Sequence, residues 1–412
     1  MTSARVRVFT FGCKVNQCDS EEIARSLADR GYAIGGRGDP ADIYIVNTCT
    51  VTATADAKAR KLIRRLARGH PEATIIATGC LAETDPSALL DLPGVAAVVP
   101  NSRKLALADF LPGLQAPLGA TSYLPSRTRS FVKLQDGCDR RCAYCVVPSA
   151  RGKPVSKPGA AILSQAQCLA DAGSREVVLC GVRLGAYGAD RGDATLAALL
   201  RKLREIDIPR LRLSSIEPMD LTDDLLAEMA DHPTLCHHLH LPLQSGDDDV
   251  LAAMGRGYTA ADFASLVGRV REVWSDAAIT TDIMVGFPGE TDGQFEHSLT
   301  FVRETAFTRL HVFPYSSRPD TAAAERADQV PPKTKRARTD VMLALADDLA
   351  RATALAWIGR TVSVLIEERE KGDLLAGHTP HYLKVHTPGP DDWIGRIIDL
   401  TPTREEHGEL FI

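Results

Sequence analysis

Phe131-Val-Lys-Leu-Gln-Asp136-Gly-Cys138-Asp-Arg-Arg-Cys142-Ala-Tyr144-Cys145 decides the fold class: an apolar, β-rich run ends and a cysteine-bearing loop begins directly after it. An α/β barrel builds its sites in this way, on loops that follow the carboxyl ends of parallel strands. Gaps of three and two residues let one loop wrap a cuboidal iron–sulfur cluster with three thiolates. A 4Fe-4S cube has four irons, so one iron is left without a protein ligand. That open iron can chelate the amino and carboxylate groups of S-adenosylmethionine and pass an electron to its sulfonium, which releases a 5'-deoxyadenosyl radical. The same spacing also suits a zinc site whose fourth ligand lies elsewhere, or three structural cysteines.

Working outward, strand-like runs recur at 131–135, 177–180, 210–215, 237–243, 279–286 and 309–315, separated by helical stretches, so this region is expected to be a partly closed (β/α)6 barrel. Upstream, Val6 to Phe11, Ile43 to Asn47 and Thr74 to Thr78 read as buried strands. Helical patterns lie between them, one from Ser20 to Arg30 with Ser20 as N-cap and one from Ala53 to Arg68, and the alternation predicts a parallel α/β sheet. The stretch 112–119, rich in Pro and Gly, reads as a linker. Downstream, a helix is expected over Thr334 to Trp357. Short strands at 361–367, 382–386 and 393–400 then read as a small antiparallel barrel. The predicted division is 1–116, 117–357 and 358–412.

The 412 residues are 44% hydrophobic and 25% charged, which excludes a disordered chain. With 48 Lys+Arg against 53 Asp+Glu the net charge is −5, so any nucleic-acid binding must be local rather than a bulk-charge effect. No apolar run reaches the roughly 18 residues of a membrane span. The first twenty residues carry Arg5, Arg7, Lys14 and Asp19 where a signal peptide needs an apolar stretch. A cytoplasmic monomer with no membrane partner is expected. Ten cysteines are too sparse for a disulfide scaffold, so their positions have to assign them.

Cys13, Cys49 and Cys80 are unrelated by spacing, yet each follows the carboxyl end of one of the three N-terminal strands. Strand ends of a parallel sheet share one edge, where ligand crevices form, so three thiols can converge there without a sequence cluster. Gly12 and Gly79, each preceding one of these cysteines, would let the backbone come close to a bulky cofactor. Read singly, each of the three also fits a buried hydrophobe. Cys18, Cys168, Cys180 and Cys236 have no partner pattern and read as structural.

The two cysteine sets together resemble those of the radical-SAM methylthiotransferases, and the resemblance runs over essentially the whole chain. It extends to Leu-Ser-Ser-Ile-Glu-Pro (213–218), Leu-His-Leu-Pro-Leu-Gln-Ser-Gly (239–246), Asp-Ile-Met-Val-Gly-Phe-Pro-Gly-Glu-Thr (282–291) and His-Val-Phe-Pro-Tyr-Ser (311–316). It implies a flavodoxin-like domain whose Cys13, Cys49 and Cys80 hold an auxiliary 4Fe-4S cluster. It further implies a radical-SAM barrel with a second 4Fe-4S cluster on Cys138, Cys142 and Cys145, and a C-terminal TRAM domain that binds substrate. All six cysteines are catalytic in this reading. Tyr144, Gly181, Ser215, Glu217, Gln244 and Ser245 are expected around S-adenosylmethionine, with Gln244 and Ser245 on its ribose or carboxylate. One S-adenosylmethionine would give a methyl group to sulfur at the auxiliary site, and the radical from a second would take hydrogen from the substrate. An external electron donor and a sulfur source are implied partners.

Thr-Phe-Gly-Cys13-Lys-Val-Asn-Gln and Val-Asn-Thr-Cys49-Thr-Val-Thr look like the MtaB type, which acts on C2 of N6-threonylcarbamoyladenosine beside the anticodon of tRNA. Cys18 and Ser149 stand where that type usually has tyrosine, and Asp320 where it usually has glycine. From Arg360 to Ile412 there are 6 Lys+Arg against 10 Asp+Glu, an acidic balance that keeps open a ribosomal protein as substrate, alongside isopentenyladenosine. Lys58, Arg60, Lys61, Arg64, Arg65 and Arg68 push toward RNA, because a helix with these cations outward and Leu62, Ile63 and Leu66 inward can pin phosphates. An ordinary solvated helix face has the same pattern. From a different class, a non-enzymatic iron–sulfur or zinc protein that binds nucleic acid would also carry clustered cysteines, but it has no use for polar groups at the barrel's strand ends.

Overall fold

The computed structural model describes residues 4–36, 38–111, 128–370 and 372–412, so the expected linker at 112–119 lies outside the described residues. Two compact units divide the chain. The first comprises Met1–Ser126, Asp136–Val155 and Ser316–Ala324, and the second Arg127–Gln135, Ser156–Tyr315 and Glu325–Ile412.

The first unit is built on β1 (Arg5–Thr10), β2 (Ala33–Ile34), β3 (Ile43–Thr48), β4 (Thr74–Gly79) and β5 (Val95–Val98), all parallel in the order β2-β1-β3-β4-β5. This is the flavodoxin order, with its crevice where the order reverses, between β1 and β3. Alternate residues of the central strands feed two cores. Tyr44, Val46 and Ile75 pack with Leu62, Ile63 and Leu66 of α2 (Ala53–Gly69), and Ile43, Ile45 and Ile76 pack with Ile23 and Leu27 of α1 (Lys14–Asp29). Helix α1 begins well before the expected Ser20, with Cys13 at its N-cap. Ser20 lies inside the helix, buried, and its Oγ accepts hydrogen bonds from Thr10 and Asn47. Short α3 (Cys80–Thr84) and α4 (Ser87–Leu90) follow β4. From the later chain the unit takes α5 (Val147–Arg151), which runs directly on from the Cys138–Cys145 loop.

In the second unit, β6 (Arg129–Asp136), β7 (Val155–Ser156), β8 (Glu176–Gly181), β9 (Arg210–Leu213), β10 (His238–His240), β11 (Ala278–Val285) and β12 (Arg309–Pro314) form two sheets, β7-β6-β8-β9 and β10-β11-β12. Parallel bridges Leu211↔Leu235 and Ser215↔His240 join the two sheets, so that β6, β8, β9, β10, β11 and β12 make a partial six-stranded barrel with two-residue β7 at its edge. Val132, Leu134, Val177, Leu179, Leu211, Leu213, Leu239, Ile279, Ile283 and Leu310 face the surrounding helices in one large core. Most of the alternate residues, which face the barrel interior, are polar: Lys133, Glu176, Arg210, Arg212, His238, His240, Thr280, Asp282 and His311, with Phe131, Val178, Cys180 and Met284 as apolar exceptions. Helix Pro332–Leu355 packs along β12.

The C-terminal strands β13 (Val362–Arg369), β14 (Leu375–His378), β15 (Lys384–Thr387), β16 (Ile397–Leu400), β17 (Arg404–Glu406) and β18 (Glu409–Phe411) make one curled sheet, antiparallel except for the β15–β18 pair. The segment 378–382 of this module closes the amino-terminal end of the barrel. Arg210 donates to the carbonyls of His378 and Ser363, and Arg212 to those of Thr379 and Pro380. Arg212 is fully buried and held by Glu176 at 2.7 Å. The Tyr382 ring lies 4.8 Å from both His238 and His378, with φ at +63°, a conformation a bulky residue adopts only when its surroundings fix it.

Candidate cluster and cofactor sites

In the first unit the three strand ends converge. Cys13 is exposed at the start of α1, whereas Cys49 just past β3 and Cys80 at the start of α3 are buried. Gly12 has φ +94°, and a Cβ there would stand 2.6 Å from the Cys49 sulfur, so only glycine lets these two loops meet. Gly79 has φ +91°, and a Cβ there would stand 2.4 Å from the Thr48 carbonyl. The asparagines of the two motifs tie the strand ends together. Asn16 Nδ2 donates to the carbonyls of Phe11 and Thr48 at 2.7 and 3.0 Å, and Asn47 Nδ2 donates to the Asn16 carbonyl at 2.9 Å.

Burial first, with smaller contributions from the nearby Cys80 and Cys13, pushes the Cys49 thiol up to about 12 against a lowering hydrogen bond from the Val51 backbone. Cys80 is raised for the same reason, and the Arg151 guanidinium works against that rise. Buried Cys49 and Cys80 resist losing their protons, and with Cys13 beside them they are a donor set for a cationic centre, because a bound metal deprotonates thiols outright. The donor set and the glycine at the Cys49 loop both fit a sulfur-ligated cluster.

The loop bearing Cys138, Cys142 and Cys145 belongs to the same unit. Its amides are committed: Cys138 N donates to the Gly152 carbonyl, Cys145 N to the Cys142 carbonyl, and Arg140 N to the Cys138 sulfur at 3.5 Å. Amide bonds to a ligating sulfur are one of the levers that set a cluster's potential. Tyr144 lies half-buried in this loop.

Sequence reasoning missed the charged network beside these loops. Arg151 of α5 is buried and bonds Asn16 Oδ1, Asp19 at 3.0 Å and Asp136 at 2.6 Å. Lys104 is also buried, 2.7 Å from Asp19 and 3.4 Å from Asp136. Two cations and two carboxylates balance, as burial of charge requires. The one signal for it is the Arg151-Gly152 pair soon after the cysteine loop. Nothing marks Lys104 or Asp19, which lie far apart in the chain.

In the second unit Gly181 ends β8, and a Cβ there would touch the Leu184 backbone at 3.0 Å. Ser215 is exposed just past β9. Glu217 is paired with the buried Arg256 at 2.6 Å, a partner the sequence did not reveal. Gln244 has φ +75°, and its buried Oε1 accepts no hydrogen bond among the described residues. An orphaned acceptor of this kind fits a donor on a bound cofactor. Ser245 lies beside it in the chain, but its hydroxyl is engaged with Ser298 Oγ at 3.1 Å and the Asp247 amide at 3.2 Å. On the first unit's α2, Lys58, Lys61, Arg64, Arg65 and Arg68 are exposed and Arg60 half-buried, and none forms an ion pair among the described residues.

Residues 5–100 match the family described as uncharacterized protein family UPF0004, and residues 132–302 match the radical SAM superfamily. The chain is 37% identical over 420 residues to the threonylcarbamoyladenosine tRNA methylthiotransferase MtaB of Bacillus subtilis, covering 96% of this chain and 93% of that protein. It belongs to the radical-SAM methylthiotransferases. This methylthiotransferase is also 38% identical to MtaB of Thermotoga maritima, over 92% of this chain and 90% of that one. It is 34% identical to the tRNA-2-methylthio-N(6)-dimethylallyladenosine synthase of Syntrophotalea carbinolica, over 96% of each. Among solved structures, the radical S-adenosylmethionine methyltransferase TsrM of Kitasatospora setae shares the fold, with a TM-score of 0.57 at 16% identity over 78% of this chain and 77% of that one. Family membership makes this chain a transferase that uses S-adenosylmethionine and a 4Fe-4S cluster. Among the described residues no helix is long and apolar enough to cross a membrane.

Proposed function

We propose that this methylthiotransferase modifies C2 of N6-threonylcarbamoyladenosine next to the anticodon of tRNA. In this reading Cys138, Cys142 and Cys145 hold the cofactor-cleaving cluster and Cys13, Cys49 and Cys80 an auxiliary 4Fe-4S cluster. The cofactor-cleaving cluster with S-adenosylmethionine would supply a carbon-centred radical, which the reaction needs because the C2–H bond offers no acidic proton to a general base. The observation that carries the reading is the convergence of three thiols from three separate strand ends, since a barrel enzyme that only cleaves its cofactor has no need of a second thiol set.

This chain's own residues then have distinct tasks. Arg151 offsets negative charge at the auxiliary thiols, and Asn16 and Asn47 fix the strand ends that carry two of them. Gln244 offers its unpaired carbonyl to the cofactor's polar groups. Glu217, held by Arg256, can accept hydroxyl donors, and the backbone turns at Gly181 and Ser215 shape the strand-end face. The cations of α2, exposed Lys58, Arg64 and Arg65 and half-buried Arg60 among them, bind phosphates.

The motif Thr-Phe-Gly-Cys13-Lys-Val-Asn-Gln and the two MtaB relatives support the threonylcarbamoyl substrate. The 34% identity to a dimethylallyladenosine synthase over 96% of the chain supports a second reading, in which the N6 substituent is a hydrocarbon. Mass spectrometry of tRNA nucleosides from cells lacking this protein separates the two. Loss of the 2-methylthio form of threonylcarbamoyladenosine supports the first reading, and loss of the dimethylallyl form replaces it with the second.

A further inference from the structure

The second unit contains two His–Asp–His groups that differ in kind. His237 and His381 each meet a separate oxygen of Asp276 at 2.8 Å, and their rings lie against Trp274 and Trp357. These are ordinary closed hydrogen bonds that fasten the C-terminal module. His240, Asp282 and His311 come from three neighbouring strands, β10, β11 and β12, and both imidazoles approach the same oxygen, Asp282 Oδ1, at 3.3 Å.

The three side chains face the barrel interior. Leu239, Ile283 and Leu310 are in the core against the helices, so the alternate residues of the same strands point the other way. Access is graded: the His240 side chain is 9% exposed, Asp282 27% and His311 58%. Thr280 Oγ1, at 3.0 Å from His240 Nδ1, fixes that ring with Nε2 toward Asp282. His311 turns Nδ1 toward Asp282, and its Nε2 has no protein partner among the described residues. Gln244 is close by, since its amide donates to the Asp282 carbonyl at 2.8 Å.

Asp282 thus holds both imidazoles on one oxygen and leaves His311 Nε2 as the ring nitrogen open to a ligand, where an arm that ends in a carboxylate gives the imidazole a charged hydrogen-bond partner. A threonylcarbamoyl arm ends in a carboxylate, whereas a dimethylallyl arm has only carbon and hydrogen.

We infer that His311, oriented by Asp282 and backed by His240, binds the carboxylate of the N6 side arm and selects adenosines that bear one. The inference rests on the threonylcarbamoyl reading above. Charge-assisted hydrogen bonds to a carboxylate are short and about twice as strong as neutral ones. Sites built around such bonds reject analogues without the partner by up to about 10⁴–10⁵-fold, because their buried polar groups are left unpaired. Asp282 is a positioning residue here, and His311 determines specificity.

The test uses the holoenzyme with both clusters and three anticodon stem-loops, carrying N6-threonylcarbamoyladenosine, its methyl ester and N6-dimethylallyladenosine. The expected result is a KM for the acid at least ~10-fold below that for the ester. His311→Phe should remove that gap by raising the KM for the acid alone, and His311→Gln, which keeps a donor, should restore part of it. Iron content and thermal midpoint report whether the variants fold. A wild-type enzyme that treats acid and ester alike, or a His311→Phe variant that raises all three KM values equally, overturns the inference while leaving the substrate reading intact. Turnover of the dimethylallyl stem-loop alone would overturn the substrate reading and the inference with it.

Discussion

The two compact units handle buried polarity in opposite ways. The first holds all six candidate cluster ligands together with a buried charge network, Arg151 and Lys104 against Asp19 and Asp136. The second keeps an open polar interior, stoppered at one end by residues 378–382. A site that must hold a metal cluster needs fixed charge and no slack, whereas a site that must admit and release a substrate needs unsatisfied groups. Gln244 Oε1 and His311 are such groups in the second unit.

The sharpest way to break this contrast is to remove ligands. Cys138→Ala, Cys142→Ala or Cys145→Ala should abolish reductive cleavage of S-adenosylmethionine. Cys80→Ala should leave cleavage intact and stop methylthiolation. Methylthiolated product from a Cys80→Ala protein that keeps its other cluster would remove the division of labour between the two cysteine sets.

Next in size is the charge network. Arg151→Met leaves Asp19 and Asp136 short of a cation in a buried place, which typically costs about 3–5 kcal/mol. Chemical denaturation of the metal-free protein should show that loss. A change below about 1 kcal/mol would mean that water, not Arg151, balances the carboxylates.

The metal-free thiols provide a rate test. With Cys49 pushed up to about 12, only ~1 in 10⁴ of its thiols is ionised at pH 8. Alkylation read by mass spectrometry should label exposed Cys13 long before Cys49, and equal rates would contradict the buried pocket. The sign for stability follows. Folding favours the protonated Cys49 and Cys80, so that contribution is whole below the ordinary thiol value near ~8.5 and is lost as pH rises toward their raised values.

A smaller effect asks whether the first unit also grips RNA. Arg64→Glu with Arg65→Glu should weaken tRNA binding and flatten its salt dependence by about 0.7–0.9 log units for each lost phosphate contact. An unchanged slope would move the grip elsewhere. The smallest effect concerns Asp320, which has φ +61° in an exposed segment of the first unit. The resemblance expects glycine there, and the backbone shows why. Asp320→Gly should raise stability by about 0.5–1 kcal/mol in thermal unfolding, and a loss would mean that the Asp side chain holds the turn.

The long buried strands were legible because their apolar runs leave no other choice, and with them the positions of Cys13, Cys49, Cys80 and the Cys138–Cys145 loop just past strand ends. The start of α1 was not. Its first turns carry Asn16, Asp19 and Ser20, polar residues buried by hydrogen bonds and charge pairing, so hydrophobic periodicity is silent there. Strand β14 was missed for a related reason. Leu-Ala-Gly-His has little strand character, yet a Cβ on Gly377 would come within 2.1 Å of the Leu365 carbonyl, so the residue that weakens the pattern is the one that permits the pairing. Of the candidate cofactor residues, position past a strand end was readable, but which way each side chain turns was not, as Gln244 and Ser245 show.

The closure of the barrel by residues 378–382 bears on how such enzymes can be re-engineered. Because Arg210 and Arg212 donate to the carbonyls of one particular loop and Glu176 holds Arg212 in place, the C-terminal module is not a detachable tag. A chimaera that takes this module from a relative must take the matching arginines and their carboxylate with it, or the barrel will be left with uncompensated charge at an unsealed end.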